Sequence, residues 1–512
     1  MATSQSLEGD PIDASGFDRK LSELVRNKSL LHRGGYIGGE FITDAPHNYH
    51  VKDPANFAPL ARVSLMGGAE TESAIAAAAA ALQPWAQTPA AQRAAVLRRW
   101  HDLILENRED IATIMTLECG KPLKEARLEI DAGAASVLWF AGEAQRICGD
   151  VMEPPARDRR LMVFKQPVGV VAAITPWNFP MSMVTRKVAP ALAAGCSVVL
   201  KPAEETPLTA LALAGLAADA GLPPGVMNVV FGDRERIGDV MLESHVVRKL
   251  AFTGSTAVGK MLNERAARSL KRVSLELGGN APLIVFPDAD LDLAVTGAIG
   301  SAFRNAGQTC ICANRVFVHE DVYDQFADLI AARVRTFVLG SGLDPEVTMG
   351  PLITSLALDK VDGHVQDALA QGATAMVGGH VAEMPPEFQG GTYYAPTVLR
   401  DATIDMRCFR EETFGPIAPL FKFRSEDEVV AMANDTEYGL ASYFYTADLA
   451  RAFHVAERLD FGMVGVNEVG IVSEVAPFGG MKQSGLGREQ SKYGIQEFLD
   501  IKYVCMGLGA QR

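Results

Sequence analysis

Between Val168 and Ser269 the chain alternates short apolar runs with helical ones, and few folds accept that pattern. VGVVAAIT reads as a buried strand, and PMSMVTRKVAPALAAG as a helix ending at Gly195. SVVLKP is a second strand, followed by a helix, PLTALALAGLAADAG, that Gly221 and Pro223 stop. VMNVVFG and KLAFTG are further strands with a helix between them, and STAVGKMLNERAARS is the next helix. Parallel strands need a crossover, usually helical, so this alternation predicts a parallel sheet covered on both faces.

A second α/β pattern runs from about Val273 to Met481, with strands PLIVF, RVFVHE, APLFKF, ASYFYT and GMVGVN. It repeats the first at no fixed period. A chain of 512 residues is too long for one simple core, so two or three domains are expected. Upstream, Glu70 to Leu138 carries apolar residues at helical spacing. Around Cys148 to Lys165 the chain changes to extended segments: EPPARDRR reads as an exposed connection and RLMVFKQPVGV as strands. EFLDIKYVCMGL reads as one strand detached from both domains, of the kind that pairs with another element or another subunit. Phe17 to Leu31 reads as a short amphipathic helix in a surface arm.

Composition excludes several classes. The formal charge is −14 and no basic stripe stands out, so no nucleic acid partner is expected. No apolar run approaches the ~20 residues of a membrane span. Seven scattered cysteines suggest a reducing compartment. The N-terminus has no basic and apolar leader and carries early acids, which argues for the cytoplasm. No metal motif appears, since His47 and His50 lack partners at ligand spacing, and there is no G-x-S-x-G elbow.

Several strings carry candidate chemistry, each beside a plainer reading. Cys310, in FRNAGQTCICANR, is either a nucleophile or a buried structural cysteine. As a nucleophile it needs a lowered pKa or a nearby base. TGSTAVG, Thr253 to Gly259, joins a strand to a helix and suits a pyrophosphate, or is simply a tight turn. Lys201 and Glu204, in KPAEETP, end a parallel strand, where a carboxylate can accept ribose hydroxyls or favour a helix dipole. Asn178, in TPWNFP, is an amide aimed by two prolines, an oxyanion donor or a turn residue. Glu276, in SLELGGN, is an acid between leucines, a base near neutrality or a solvated loop acid. EETFGP, Glu411 to Pro416, is a third acidic loop.

TPWNFP, KPAEETP, FTGSTAVG, LELGGN, GQTC, EETFGP and PFGGMKQSGLGRE occur together and in order. That set resembles the aldehyde dehydrogenase superfamily over roughly Tyr36 to Leu508. ITPWNFP, MVTRKVAPALAAGC, FRNAGQTCICANR, GREQSKYG and IKYVCMGL resemble its succinate-semialdehyde dehydrogenase branch. The resemblance implies an α/β fold: a Rossmann-like NAD(P)-binding domain, a second α/β catalytic domain and a small β oligomerisation arm. On this chain the N-terminal arm would take residues 1–35, and the dinucleotide-binding domain 36–147 and 167–278. The catalytic domain would take 279–482, and the oligomerisation arm 148–166 and 497–509.

Position by position, the resemblance implies Cys310 as nucleophile, Glu276 as general base and Asn178 as oxyanion donor beside the Cys310 N–H. Lys201 and Glu204 match adenosine-ribose ligands, and Gly254, Ser255 and Gly259 the pyrophosphate loop. Trp177, Glu412 and Phe414 match further cofactor contacts, the last two at the nicotinamide ribose and ring. Arg186 and Arg304 match the ligands of a substrate ω-carboxylate. The branch usually has a serine where this chain has Val472, with Ser473 one position later, so one donor to the carboxylate is expected to be either missing or displaced onto Ser473. Succinate semialdehyde is the expected substrate, with glutarate semialdehyde the near alternative. A non-catalytic binding or scaffold protein on the same fold is the alternative of another class. NAD is expected over NADP, with NADP possible, because Glu204 would repel a 2′-phosphate. A homodimer or homotetramer is expected. Cys312, two residues from Cys310, either forms a strained, reducible disulfide with it or packs beneath the loop.

Overall fold

The computed structural model describes residues 16–44 and 47–509. The first fifteen residues of the expected N-terminal arm lie outside that range.

An eight-stranded sheet has five parallel strands at its centre, in the order Arg272–Glu276, Val247–Thr253, Val170–Ile174, Ser197–Lys201 and Met227–Val229. Antiparallel edges close it: Gly485–Leu486 on one side, Gly35–Ile37 and Glu40–Ile42 on the other. Successive residues of one strand serve opposite faces. Val171 and Ala173 join the larger hydrophobic core, while Val170 and Ala172 join a smaller one on the other side. Both faces are therefore dry, as the unbroken apolar strands require. The chain runs outward one way from Val170–Ile174, then returns to place Val247–Thr253 on its other side. A crevice opens where the order reverses, outside the carboxyl ends of these two strands.

A seven-stranded sheet forms the second half. Its order is Thr374–Val377, Thr397–Arg400, Ile417–Phe423, Ala313–His319, Ala281–Val285, Ala441–Tyr445 and Met463–Val466. All neighbours are parallel except the first pair. Its core is continuous and separate from the first two.

A third sheet is antiparallel: Leu499–Gly507 pairs with Arg159–Pro167 along nine positions, and Asp150–Met152 pairs on the other side. Val151, Phe164, Ile501 and Tyr503 are exposed on it, and the last strand has a free edge.

The Phe17–Leu31 segment differs from a surface arm. Asp18 caps the helix Arg19–Leu24, and Phe17, Leu21, Val25 and Leu30 are buried in the first core. The Asp110 carboxylate accepts from the N–H groups of Arg26 at 2.9 Å and Asn27 at 2.7 Å. The apolar stripe is the amphipathic one expected; the surface it covers comes from residues some eighty positions away.

Candidate active site

Two cavities meet at Cys310. The first, about 260 Å³, is lined by Trp177, Asn178, Gly254, Ser255, Glu412 and Phe414. The second, about 130 Å³, is lined by Phe179, Arg186, Arg304, Tyr443, Val472 and Phe478. Cys310 lines both. A third, about 710 Å³, lies at the far end of the first sheet and is lined by Glu204, Glu205, Arg234 and Arg236.

Backbone geometry presents the cysteine. Asn305, Ala306 and Gly307 all have left-handed φ values, 50°, 54° and 73°. Two of these are not glycine, so surrounding contacts must hold them. The N–H of Asn305 donates to the Glu125 carboxylate at 2.8 Å. Gln308 is buried and donates to Asn305 O, while its side-chain oxygen accepts from Ile353 N at 2.9 Å. Tyr443 donates its hydroxyl proton to Ile311 O at 2.8 Å. Gly279 is required because a Cβ there would stand 2.1 Å from Cys310 O.

Burial, Glu412 and Glu276 push the Cys310 thiol up to about 12, against the opposing effect of Arg186. Of the two expected routes, a lowered pKa or a nearby base, these surroundings favour the second. Asn178 donates one amide proton to Gln308 O at 3.0 Å, which aims the amide at the cysteine loop. Its second proton is available to another acceptor.

Glu276 ends the strand Arg272–Glu276, and both its carboxylate oxygens are buried without partners. Burial first and the nearby Glu489 second hold its carboxyl well above the usual carboxylate range, opposed by Lys187, Arg488 and Arg186. It lines neither cavity at Cys310. A Cβ at Gly479 would stand 3.0 Å from its Oε1, so glycine leaves it room.

Around the first cavity, Trp177 and Phe414 meet edge to face at 5.7 Å. Glu412 Oε1 accepts from Gly279 N at 2.9 Å, and burial raises its carboxyl to about 7. Ser255 caps the helix Thr256–Ala267, while Gly254 and Ser255 place that helix N-terminus at the cavity wall. Gly259 serves packing: a Cβ there would lie 2.3 Å from Leu277 Cδ2. Lys201 donates to Glu204 at 2.8 Å, and Glu204 lines the far cavity. Aromatic walls, a helix N-terminus at the cavity wall and a carboxylate at each extremity fit a dinucleotide.

Around the second cavity, Arg186 is buried over the Phe478 ring at 4.6 Å, and its Nε has no partner. Arg304 is exposed and stands over Phe179 at 5.3 Å. Ser473 departs from its expected place. Its hydroxyl donates to Glu474 at 3.2 Å and accepts from Val475 N, and Val472 takes the cavity wall instead. Cys312 is buried, its thiol donating to Ala302 O at 3.5 Å, and both cysteines are free.

Two supports escaped sequence reasoning. Lys121 and Glu129 form a buried ion pair; Lys121 also donates to Asn178 O at 2.7 Å, and Glu129 accepts from Met181 N and Ser182 N. That pair fixes both the Asn178 loop and the first turn of the helix Ser182–Ala194, which carries Arg186. Lys187, on the same helix, is paired with Glu489 and Thr253. The sequence trace of Lys121 and Glu129 is the string ECGKPLKEARLEID, which no motif rule singles out, and Lys187 and Glu489 sit in MVTRKVAPALAAGC and GREQSKYG with nothing local to mark them as partners.

A thiol at the junction of a dinucleotide-shaped cavity and an arginine-lined pocket defines a cofactor-linked oxidoreductase with a covalent step. The chain belongs to the aldehyde dehydrogenase family, whose model matches residues 41–504, and is an NAD(P)-dependent enzyme of it. It is 53% identical to the 3-sulfolactaldehyde dehydrogenase of Pseudomonas putida, covering 94% of this chain and 99% of that one. It is 52% identical to the NADP(+) succinate-semialdehyde dehydrogenase GabD of Escherichia coli strain K12, covering 94% and 100%. The crystal structure of succinate-semialdehyde dehydrogenase from Burkholderia pseudomallei superposes with a TM-score of 0.92 at 53% identity, over 94% of this chain and 99% of that one.

Proposed function

We infer that the protein oxidises succinate semialdehyde to succinate with NAD. The observation that carries the substrate is Arg186, a buried guanidinium with an unpartnered Nε in the same cavity as Cys310. A buried cation without a partner is costly, and a planar carboxylate satisfies it in a bidentate way. Arg304 adds a second, more exposed cation. The relatives named for succinate semialdehyde and 3-sulfolactaldehyde agree, since both names describe a short aldehyde with an anionic far end. Glutarate semialdehyde, one methylene longer, is the near alternative.

The Cys310 thiol loses its proton to solvent water, and the sulfur attacks the aldehyde carbon to give a thiohemiacetal. The Asn178 amide and the Cys310 N–H hold the resulting oxyanion. A bound nicotinamide would supply the hydride acceptor that converts the thiohemiacetal on Cys310 into a thioester. Glu276 turns from its recess toward the thioester and takes a proton from the attacking water. Its raised pKa makes it a stronger base once ionised. Trp177, Gly254, Ser255, Glu412 and Phe414 hold the dinucleotide near the thiol, and Lys201 and Glu204 hold its adenosine ribose.

NAD is favoured because Glu204 can accept a hydroxyl proton and would repel a 2′-phosphate. The exposed apolar strand Leu499–Gly507, with its free edge, favours a homo-oligomer. A panel of short aldehydes with and without an ω-carboxylate, read by NADH absorbance, tests the assignment. The acid aldehydes should exceed neutral ones of equal length by about 10²-fold in kcat/KM, the loss expected for an unpaired buried charge. Equal rates for both classes overturn it.

A further inference from the structure

The loop that carries Glu412 and Phe414 is not held by those two residues alone. His364, fully buried on the helix Ser355–Ala370, bonds to the residues on either side of Glu412. Its Nε2 is 3.1 Å from Glu411 Oε2, and its Nδ1 is 3.1 Å from Thr413 Oγ1. Burial lowers the imidazole to about 4, so the ring is neutral at physiological pH. A carboxylate can only accept, so Nε2 carries the proton and Nδ1 accepts from the Thr413 hydroxyl. From outside, Arg407 closes on Glu411 at 3.0 Å.

The opposite side of the loop is tied to the nucleophile's own strand. Asn314, four residues after Cys310, accepts from Thr413 N at 3.0 Å and donates to Glu411 O at 3.1 Å. Phe414, next in the chain, has a left-handed φ of 59° that a phenylalanine does not adopt unaided. Lys360, one turn before His364 on the same helix, lines the cavity with Glu412 and Phe414.

We propose that His364 is a positioning residue for the nicotinamide half of the cofactor, locking the Glu411–Phe414 loop through the side chains that flank Glu412. It touches neither cofactor nor substrate, and it acts on one end of the dinucleotide only. The adenosine end, at Glu204, lies on the other sheet and does not feel it. The proposal rests on the NAD(P) reading of this cavity.

The test is binding of NAD and of ADP-ribose, which lacks the nicotinamide, to the full-length protein by calorimetry. His364→Leu should weaken NAD about tenfold, the loss expected for one or two hydrogen bonds, and leave ADP-ribose unchanged. His364→Gln, whose amide offers one donor and one acceptor, should fall between. Glu411→Ala, at an exposed position, should weaken NAD by about threefold, and it decides the matter if the buried substitutions fail to fold. Equal weakening of both ligands, or unchanged NAD affinity in a folded variant, overturns the assignment of His364. Failure of the parent protein to bind either ligand would instead overturn the cofactor reading itself.

Discussion

The two large sheets present opposite ends to the site. In the first, the functional loops follow the strands: Asn178 after Val170–Ile174, Glu204 after Ser197–Lys201, Gly254 after Val247–Thr253. In the second they precede them: Cys310 before Ala313–His319, and Glu412 before Ile417–Phe423. Carboxyl ends of one parallel sheet therefore face amino ends of another. The general rule for open α/β sheets places ligands outside the carboxyl ends. Only the first half obeys it, in keeping with its proposed task of binding a dinucleotide at a helix N-terminus. The second half delivers reactive and gripping side chains on loops pinned by Gln308, Asn314 and His364.

The sharpest division between the halves is removal of the thiol. Cys310→Ser should reduce aldehyde oxidation by roughly 10⁴-fold or more, as losses of a covalent nucleophile do. NAD affinity, set mainly by the first half, should stay within about twofold of the parent, since only a thiol at the cavity's end changes. Stopped-flow turnover and calorimetry read the two separately. A large loss of NAD affinity would break the division.

Glu276 crosses it, because a residue of the first sheet is assigned a chemical step of the second. Glu276→Gln should cost about 10²- to 10⁴-fold in kcat, with acyl-enzyme accumulating after a first-turnover burst. No burst would remove it from deacylation. A stability signature accompanies this. The buried carboxyl holds its proton more tightly in the folded chain than in the unfolded one, where it titrates near 4.5. Above that value the unfolded state sheds a proton that the folded state keeps, so this group's contribution falls as pH rises until the folded carboxyl ionises. Glutamine carries no such penalty, so the Tm of the variant relative to the parent should rise from pH 5 to pH 8.

How much of this was legible in the sequence follows the same division. The first sheet's loops are built from glycine, proline and helix caps, which bend a backbone the same way wherever they occur, so TPWNFP and TGSTAVG read as strand-end turns, while their chemistry comes only from the resemblance. Phe179 with Arg186, Tyr443, and Val472 with Phe478 make a wall from three separated segments, and nothing local marks them as neighbours. Of the two outcomes expected at Val472 and Ser473, a missing or a displaced donor, the geometry favours the first: one position along the loop turns the Ser473 hydroxyl onto Glu474 while Val472 lines the cavity. Lys121, Glu129 and His364 were invisible because each works through partners 8 to 57 residues away, with no periodicity to betray the pairing.

Arg186 belongs to the first half by its helix and to the substrate by its cavity. Arg186→Leu should lower kcat/KM for the acid aldehyde by about 10²-fold and for a neutral aldehyde by less than about threefold. Arg304→Ala, at an exposed position, should show the same selectivity with a smaller loss. An equal loss for both substrates would place these arginines in the support of the fold rather than in recognition.

The smallest expected effect lies farthest from the thiol. Glu204 accepts from Lys201 at 2.8 Å and faces the far cavity beside Glu205, with Arg234 and Arg236 across it. A 2′-phosphate entering there would meet the carboxylates of Glu70, Glu204, Glu205, Asp233 and Glu235 against only two guanidinium groups, Arg234 and Arg236, and this charge balance supports the proposed preference for NAD. Glu204→Ser removes one carboxylate and frees Lys201, which both favour the phosphate. The ratio of kcat/KM for NAD to that for NADP should fall by roughly ten- to thirtyfold, one ion-pair's worth of repulsion at a half-open site. The rate of the chemical step with saturating NAD should not change, since Glu204 lines a cavity separate from the two at Cys310. A parent enzyme that already prefers NADP, as the name of the Escherichia coli relative states for that protein, would show that the cations outweigh Glu204.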